Sequence, residues 1–266
     1  MIAQYRKARQ DTSLRSLRAV PLPMLLATFL LAPGLASGAE IKVLLSGALT
    51  AAYNELIPQF ERATGNRIVS EYGLASVGSR IQSGELADVV ILAGSGLDEL
   101  IKQGKVLPDS RVDLVRSSIG VAVRAGQPKP DISSVEALKL TLLEAKSIAY
   151  SSSVSGVYVS TELFQRLGIA DQVLGKSKRI EGMVGTAIAR GEAEIGFQQI
   201  SELLPVQGIA YLGPLPPEVQ RVSVFSAGIV ASSKEQAAAK ALIKFLASPS
   251  ARQAIVKSGL EPIASQ

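Results

Sequence analysis

Glu40-Ile41-Lys42-Val43-Leu44-Leu45-Ser46-Gly47-Ala48-Leu49-Thr50 is the stretch on which the fold turns. Ile41 to Leu45 is a short apolar run and reads as a buried strand. From Leu49 the apolar positions Tyr53, Leu56, Ile57, Phe60 and Ala63 keep helical spacing until Gly65 ends the helix, and Pro58 is expected to kink it. A strand that passes through Ser-Gly into a helix, if repeated, makes a sheet covered by helices.

The unit does repeat. Arg67 to Tyr72 reads as a second strand, Val77 to Gln82 as a short helix and Ala87 to Leu92 as a third strand. Val112 to Arg124 is a long β-prone stretch in which Gly120 marks a crossing between lobes. A second set follows: helix Val135 to Lys146, strand Ile148 to Tyr150, helix Val157 to Leu167, helix Met183 to Arg190 and strand Glu194 to Phe197. Val222 to Ala231 reads as a strand pair or one long strand, and Lys234 to Leu246 as a final amphipathic helix that rejoins the first set. The expected architecture is α/β and two-lobed, each lobe a mixed sheet flanked by helices, with two hinge crossings. Residues 40–120 with 224–266 form one lobe and 121–223 the other.

Ahead of the first strand, residues 1–39 read as an export signal. Arg6, Lys7, Arg9, Arg15 and Arg18 precede an apolar core from Pro23 to Leu35 and the small residues Ala36-Ser37-Gly38-Ala39. About 20 apolar residues are needed to span a bilayer, and this core is shorter. Cleavage near Glu40 would leave the mature chain in the periplasm. It also removes most of the basic excess: 23 Lys+Arg face 22 Asp+Glu after residue 39, a net of +1. With no basic run interleaved with aromatics, nucleic acid is not an expected partner.

The chain contains neither cysteine nor histidine. Disulfides are therefore excluded, and the usual ligands of zinc, copper and haem are missing, so no metal and no cofactor is expected. The commonest general base is missing too. There is no Gly-x-Ser-x-Gly elbow, and Gly73 to Gly78 has P-loop glycine spacing but continues Ser79-Arg80 where Lys-Ser/Thr is needed. The residues point away from an enzyme. Without tryptophan, and with aromatics at 5% of the chain, a sugar is a poor ligand.

Three loops pair glycine with small hydroxyl residues at the start of a helix, where backbone N–H groups and the helix dipole favour an anion. They are Ser46 to Thr50, Gly73 to Ser79 and Ser151 to Gly156. Each alone reads as ordinary helix capping; three, spread over two lobes, point to a shared anion site. Asp88 reads as a structural hydrogen-bonding group at a strand start, and Gln199, at the end of a strand, as a pocket residue.

At these positions the chain resembles the periplasmic molybdate-binding proteins of ABC importers, which have the type II two-lobed solute-binding fold. The resemblance runs from Glu40 to Leu260 and is carried by strand-Ser46-Gly47-Ala48-Leu49-Thr50, Ser79 to Ile91, Ser155-Gly156-Val157-Tyr158 and Ala189 to Gly196. It implies a tetrahedral oxyanion held by two serines of the first lobe, backbone N–H groups of the second and often a tyrosine. Ala48 stands where the first serine is expected, with Ser46 two residues earlier. Ala75 or Ser76 falls at the second, depending on a one-residue gap. Ser155 and a turn at Gly182, Met183 and Val184 match backbone donors, and Gln199 replaces the tyrosine. Together with Gly47 these are the expected ligand-binding residues.

The resemblance implies a monomeric receptor that takes an oxyanion or a small organic acid to a membrane permease. A receptor serving a sensor kinase is the alternative, and an enzyme on the same scaffold a remoter one. Whether Glu71 and Glu181 point into the cleft is open at this level. A bulky residue at Ser76 or Ser155 is expected to abolish ligand binding with little loss of stability, which calorimetry and melting curves would check.

Overall fold

The computed structural model describes residues 38–73 and 76–263; the expected export segment up to residue 37, and Ala75, lie outside them. β1 (Glu40–Leu45) passes through a 3-10 turn (Gly47–Leu49) into α1 (Thr50–Thr64), followed by β2 (Arg67–Tyr72), α2 (Val77–Gln82), β3 (Val89–Ala93) and α3 (Gly94–Lys102). The long β4 (Val112–Arg124) leads to α4 (Val135–Glu144), β5 (Ile148–Ser151) and α5 (Val154–Tyr158), which continues through a π turn (Val159–Leu163) into α6 (Phe164–Arg166). α7 (Ala170–Val173), β6 (Ser177–Ile180), α8 (Val184–Ala189), β7 (Ile195–Gln199), α9 (Ile200–Leu203) and β8 (Ile209–Pro214) come next. β9 (Val222–Ile229), α10 (Gln236–Leu246), α11 (Arg252–Lys257) and β10 (Glu261–Pro262) follow.

The strands run in the order β2-β1-β3-β9-β4-β7-β5-β6, with β8 and β10 also paired to β4. β1 is parallel to β2 and β3, and β5 is parallel to β6 and β7. Every pairing of β4 is antiparallel. Its first half, Val112 to Ser118, pairs with β9, whereas Ile119 to Arg124 pairs with β7 and β8. One continuous strand therefore belongs to two mixed sheets. Each sheet has its own apolar core: Val43, Leu45, Tyr53, Phe60, Phe225 and Leu242 in one, and Val121, Ile148, Leu163, Phe164, Ile195 and Phe197 in the other. This is the expected two-lobed α/β architecture. The C-terminal helices α10 and α11 supply Ala239, Leu242, Ile243, Ala254 and Ile255 to the core of the first sheet.

Local chemistry explains most boundaries. α1 stops at Gly65, whose φ of 74° lies in the left-handed region and whose N–H bonds to Glu61 O at 2.8 Å. It runs unbroken through Pro58, which sits on its exposed face. α3 is absent from the sequence reading because Gly94-Ser95-Gly96 opens it, and glycine costs about 1 kcal/mol against alanine in a helix. Leu97 and Leu100, both fully buried, are the apolar face that holds it. α5 begins three residues before the predicted start at Val157, because Ser153 rather than a later residue takes the cap position.

Gly156 is fixed by close approach: a Cβ there would lie 1.6 Å from Ser151 O. The first turn of α5 thus rests directly on the end of β5. Gly156→Ala is expected to destabilise the fold by about 3 kcal/mol or more, since the clash is with backbone. Urea denaturation checks this; an unchanged midpoint would refute the packing.

Candidate functional site: an interlobe cleft lined by hydroxyls and arginines

The two chain crossings are tied to each other. Gln220, just before β9, accepts a hydrogen bond from Ile119 N at 2.9 Å and donates to Ile119 O at 3.0 Å. Its side chain thereby continues the β4 to β9 ladder beyond their paired residues. Gln199, at the end of β7, lies with its amide 2.8 Å from Ser117 Oγ and 3.5 Å from Ser223 Oγ, bridging three strands. Turning its NH2 toward Ser117 Oγ and Ser118 O, 2.8 and 3.1 Å away, satisfies it best.

The hydroxyl loops converge around a cavity. Ser46, Ser79, Ser95, Ser152, Ser153 and Val157 line a space of about 310 Å³ between the β3–α3 turn and the start of α5. A second space of about 450 Å³ shares Ala93, Ser95, Val154 and Val157 with it and continues to Asp98, Glu162, Arg111 and Arg221. The two form one groove between the lobes, with hydroxyls at one end, guanidinium groups at the other, and the 57% exposed Val157 between. A further cavity of about 480 Å³, beside Arg124, Glu144 and Glu194, lies on the outer edge of the second sheet, away from these loops.

Ser46 is buried and donates its N–H to Ile91 O at 2.8 Å. Gly47 and Ala48 form the 3-10 turn behind it, and Ala48, 2% exposed, belongs to the first core rather than to a polar surface. Ser76 is exposed ahead of α2 and makes no capping bond; Ala75 lies outside the described residues. Ser155 is fully buried, 2.9 Å from Ser151 Oγ and 3.3 Å from Ser153 Oγ. A bulky residue there would have to displace β5, so the expectation of little stability loss is corrected for Ser155. Gly182 and Met183 lead into α8, and the Val184 N–H is taken by Gln198 Oε1 at 2.8 Å. Neither Gln199 nor Val184 borders the two cavities of the groove.

Asp88 is structural, accepting from Lys42 N at 2.8 Å and from Ser233 Oγ at 2.6 Å. Glu71 pairs with Arg80 and with Lys42, and Glu181 with Arg179; neither borders the groove. The Arg80 and Lys42 hydrogen bonds lower the Glu71 carboxyl below the usual carboxylate range. Asp98, Glu99, Arg111 and Arg221 escaped sequence reasoning. Gly94-Ser95-Gly96 carries the same small-residue signal as the other loops, but nothing local marks Arg221, which reaches the groove only through the return of the chain to β9.

Residues 41–261 match the family described as bacterial extracellular solute-binding protein. The chain belongs to that family. Among solute-binding proteins, the periplasmic molybdate-binding protein of Azotobacter vinelandii has a structure that superposes with a TM-score of 0.68 at 22% identity, covering 85% of this chain and all of that one. The molybdate-binding protein ModA of the same organism is 25% identical over 236 residues, 84% of this chain and 90% of the relative. A protein of a Pseudomonas species named aconitate isomerase is 43% identical over 233 residues, 85% of this chain and 89% of the relative. That relative corrects one expectation: this solute-binding chain cannot be set apart from enzymes on the ground that it lacks His, Cys and a nucleophile motif.

One buried acid stands at the lobe junction. Glu202, 3% exposed, lies on α9, which packs against the 3-10 turn of Gly47–Leu49 as well as β4 and α8. It reaches back to the Gln199 N–H and to Gln198, as the third residue of a capping box does. Its Oε2 and the Ser201 hydroxyl have no partner among the described residues. Burial pushes its pKa up to about 7, only partly offset by those bonds. A carboxyl raised above its unfolded value stabilises the fold at low pH and loses that contribution as pH climbs from its unfolded pKa through about 7. Glu202→Gln is therefore expected to be more stable than the parent by about 2 kcal/mol at pH 8 and little different at pH 4. Urea midpoints at the two pH values check this, and parallel curves would show that Glu202 titrates normally.

Proposed function

We propose that the chain binds a small organic polycarboxylate in the interlobe groove and isomerises it by moving a proton between two carbons. The observation that carries this reading is the 43% identity to the aconitate isomerase, spanning nearly the whole solute-binding fold. Two features of the site support it. Ala48 puts a methyl group, already packed in the core, where a tetrahedral oxyanion would need a hydroxyl. A dianion left with unmet lone pairs loses about 1–3 kcal/mol for each. The groove also joins two cavities, polar at both ends and sharing Val154 and the exposed Val157 between them, which suits carboxylates on a hydrocarbon frame better than a compact sphere.

In an unsaturated tricarboxylate, the CH2 next to the double bond is acidified by its carboxylate and by allylic delocalisation. A base takes one of its protons and returns it to the far alkene carbon, so the double bond shifts and its geometry is reset. No redox partner or water is consumed. Of the carboxylates facing the groove, Asp98 is paired with Arg111 and Glu162 with Arg221. Glu99 accepts from Gln103 Nε2 at 2.8 Å and has no ion pair among the described residues, so its carboxylate is not committed to a cation and is the proposed proton carrier.

A second reading rests on the family match and the molybdate-binding relative. The chain is then an exported, monomeric receptor that closes on its solute and delivers it to a membrane permease.

Incubating the purified protein with trans-aconitate and following cis-aconitate by proton NMR tests the enzyme, while calorimetry with aconitate, molybdate and sulfate tests the ligand. Isomerisation is expected, with Glu99→Gln lowering kcat by at least about 10²-fold. Binding of aconitate without turnover would favour the receptor, and binding of molybdate alone would defeat the organic-acid reading.

A further inference from the structure

We propose that Arg221 is the carboxylate anchor at the far end of the groove, held over the Tyr158 ring, and that Glu162 occupies it until the solute takes Glu162's place. The inference rests on the organic-acid reading above and adds to it the residue that selects for a second carboxylate.

Two guanidinium groups border this end, and they differ. Arg111 is ion-paired with Asp98 and with Asp113, 3.0 Å away, and Asp113 is itself bonded to Ser226 at 2.6 Å. With two carboxylates on it, Arg111 cross-links α3 to the first strand of the crossing, and its charge is spent there. Arg221 pairs with Glu162 alone among the described residues. Its Cζ lies 4.8 Å from the centre of the Tyr158 ring. That ring is itself fixed: Tyr158 is 3% exposed and donates its hydroxyl to Val219 O at 2.6 Å. A guanidinium held over the face of a fixed ring is positioned by it while its N–H groups remain able to grip a carboxylate.

The surroundings complete a subsite. Val222 and Val157, 45% and 57% exposed, flank the space between Arg221 and the hydroxyl end. Exposed valines beside a fixed cation suit a ligand whose charged ends are joined by hydrocarbon. Glu162 fits the part of a displaceable partner: the Arg221–Glu162 pair is half exposed on both sides, where an ion pair adds little stability and is readily exchanged. Glu162 also lies in the π turn that interrupts α5 and α6, a local irregularity that aims its side chain toward Arg221.

The test is calorimetry of the full chain with tricarballylate, a saturated tricarboxylate that cannot be isomerised, using the parent, Arg221→Gln, Arg221→Lys and Glu162→Gln. Melting curves run in parallel show that each variant is folded. Arg221→Gln is expected to weaken binding at least 30-fold and Arg221→Lys by less, since lysine keeps the charge but not the fork. Glu162→Gln is expected to bind as tightly as the parent or several-fold tighter, because it removes a competitor. A purely structural Arg221–Glu162 pair predicts the opposite sign for Glu162→Gln. Loss of affinity in that variant, or Arg221→Gln binding within threefold of the parent, overturns the proposal and leaves the organic-acid reading standing. If the parent binds neither tricarballylate nor aconitate, that reading falls and the anchor with it.

Discussion

The antiparallel pairing of β4 with β9, prolonged by Gln220 on both backbone groups of Ile119, is the constraint on which the rest of the molecule depends. It is where one strand leaves the first sheet for the second and where the chain comes back. Because Gln220 supplies both a donor and an acceptor, the ladder gains a rung at a point where the partner backbone has already turned away, and no buried polar group of Ile119 is left unmet. Gln199 adds a cross-tie to Ser117 and Ser223 at the same level. These polar bonds act together with apolar contacts between the lobes, where α9 packs on the Gly47–Leu49 turn and Val154 on the first core.

The groove is built by the ends of strands. β1, β3 and β5 each release the chain at the same edge, so Ser46, Ser95 and the serines after Ser151 face one another across the gap. Small residues are needed there because the turns run close to the strands they leave, as at Gly156 over Ser151. The consequence is a groove end rich in hydroxyl groups and poor in bulk. Its size and shape come from elsewhere. Val157, Arg221 and Glu162 extend it beyond what an inorganic oxyanion would fill.

Two clusters of charge are closed on themselves. Arg80 and Lys42 neutralise Glu71 and Glu85 at the edge of the first sheet, and Arg111 is closed by Asp98 and Asp113. Along the groove, Glu99 has the Gln103 amide and Arg221 has the Glu162 carboxylate, one polar side chain each among the described residues. Glu202 is buried with an oxygen unmet, and its raised pKa follows from desolvation at the lobe junction. Deprotonation there strands a charge away from water, which lowers the stability of the fold as pH rises.

Sequence patterning determined the strands of both sheets except β6, β8 and β10, together with the main helices and the hydroxyl loops, because burial on one face imprints a period of two or 3.6 on any chain that folds this way. It also determined what the chemistry could not use, through the absence of His and Cys. It missed α3, where Gly94-Ser95-Gly96 conceals a helix that only the packing of Leu97 and Leu100 can hold. It also treated Ala48, Ser155 and Val184 as open to a ligand, when the first lies in a core, the second in a buried serine cluster and the third on Gln198. Exclusion of an enzyme rested on missing motifs, which speak only to the reactions those motifs serve. The groove's arginine end was decided by tertiary structure alone. Arg221 stands 63 positions from the Tyr158 ring it covers, and no local pattern links residues that meet only because the chain crosses between sheets twice.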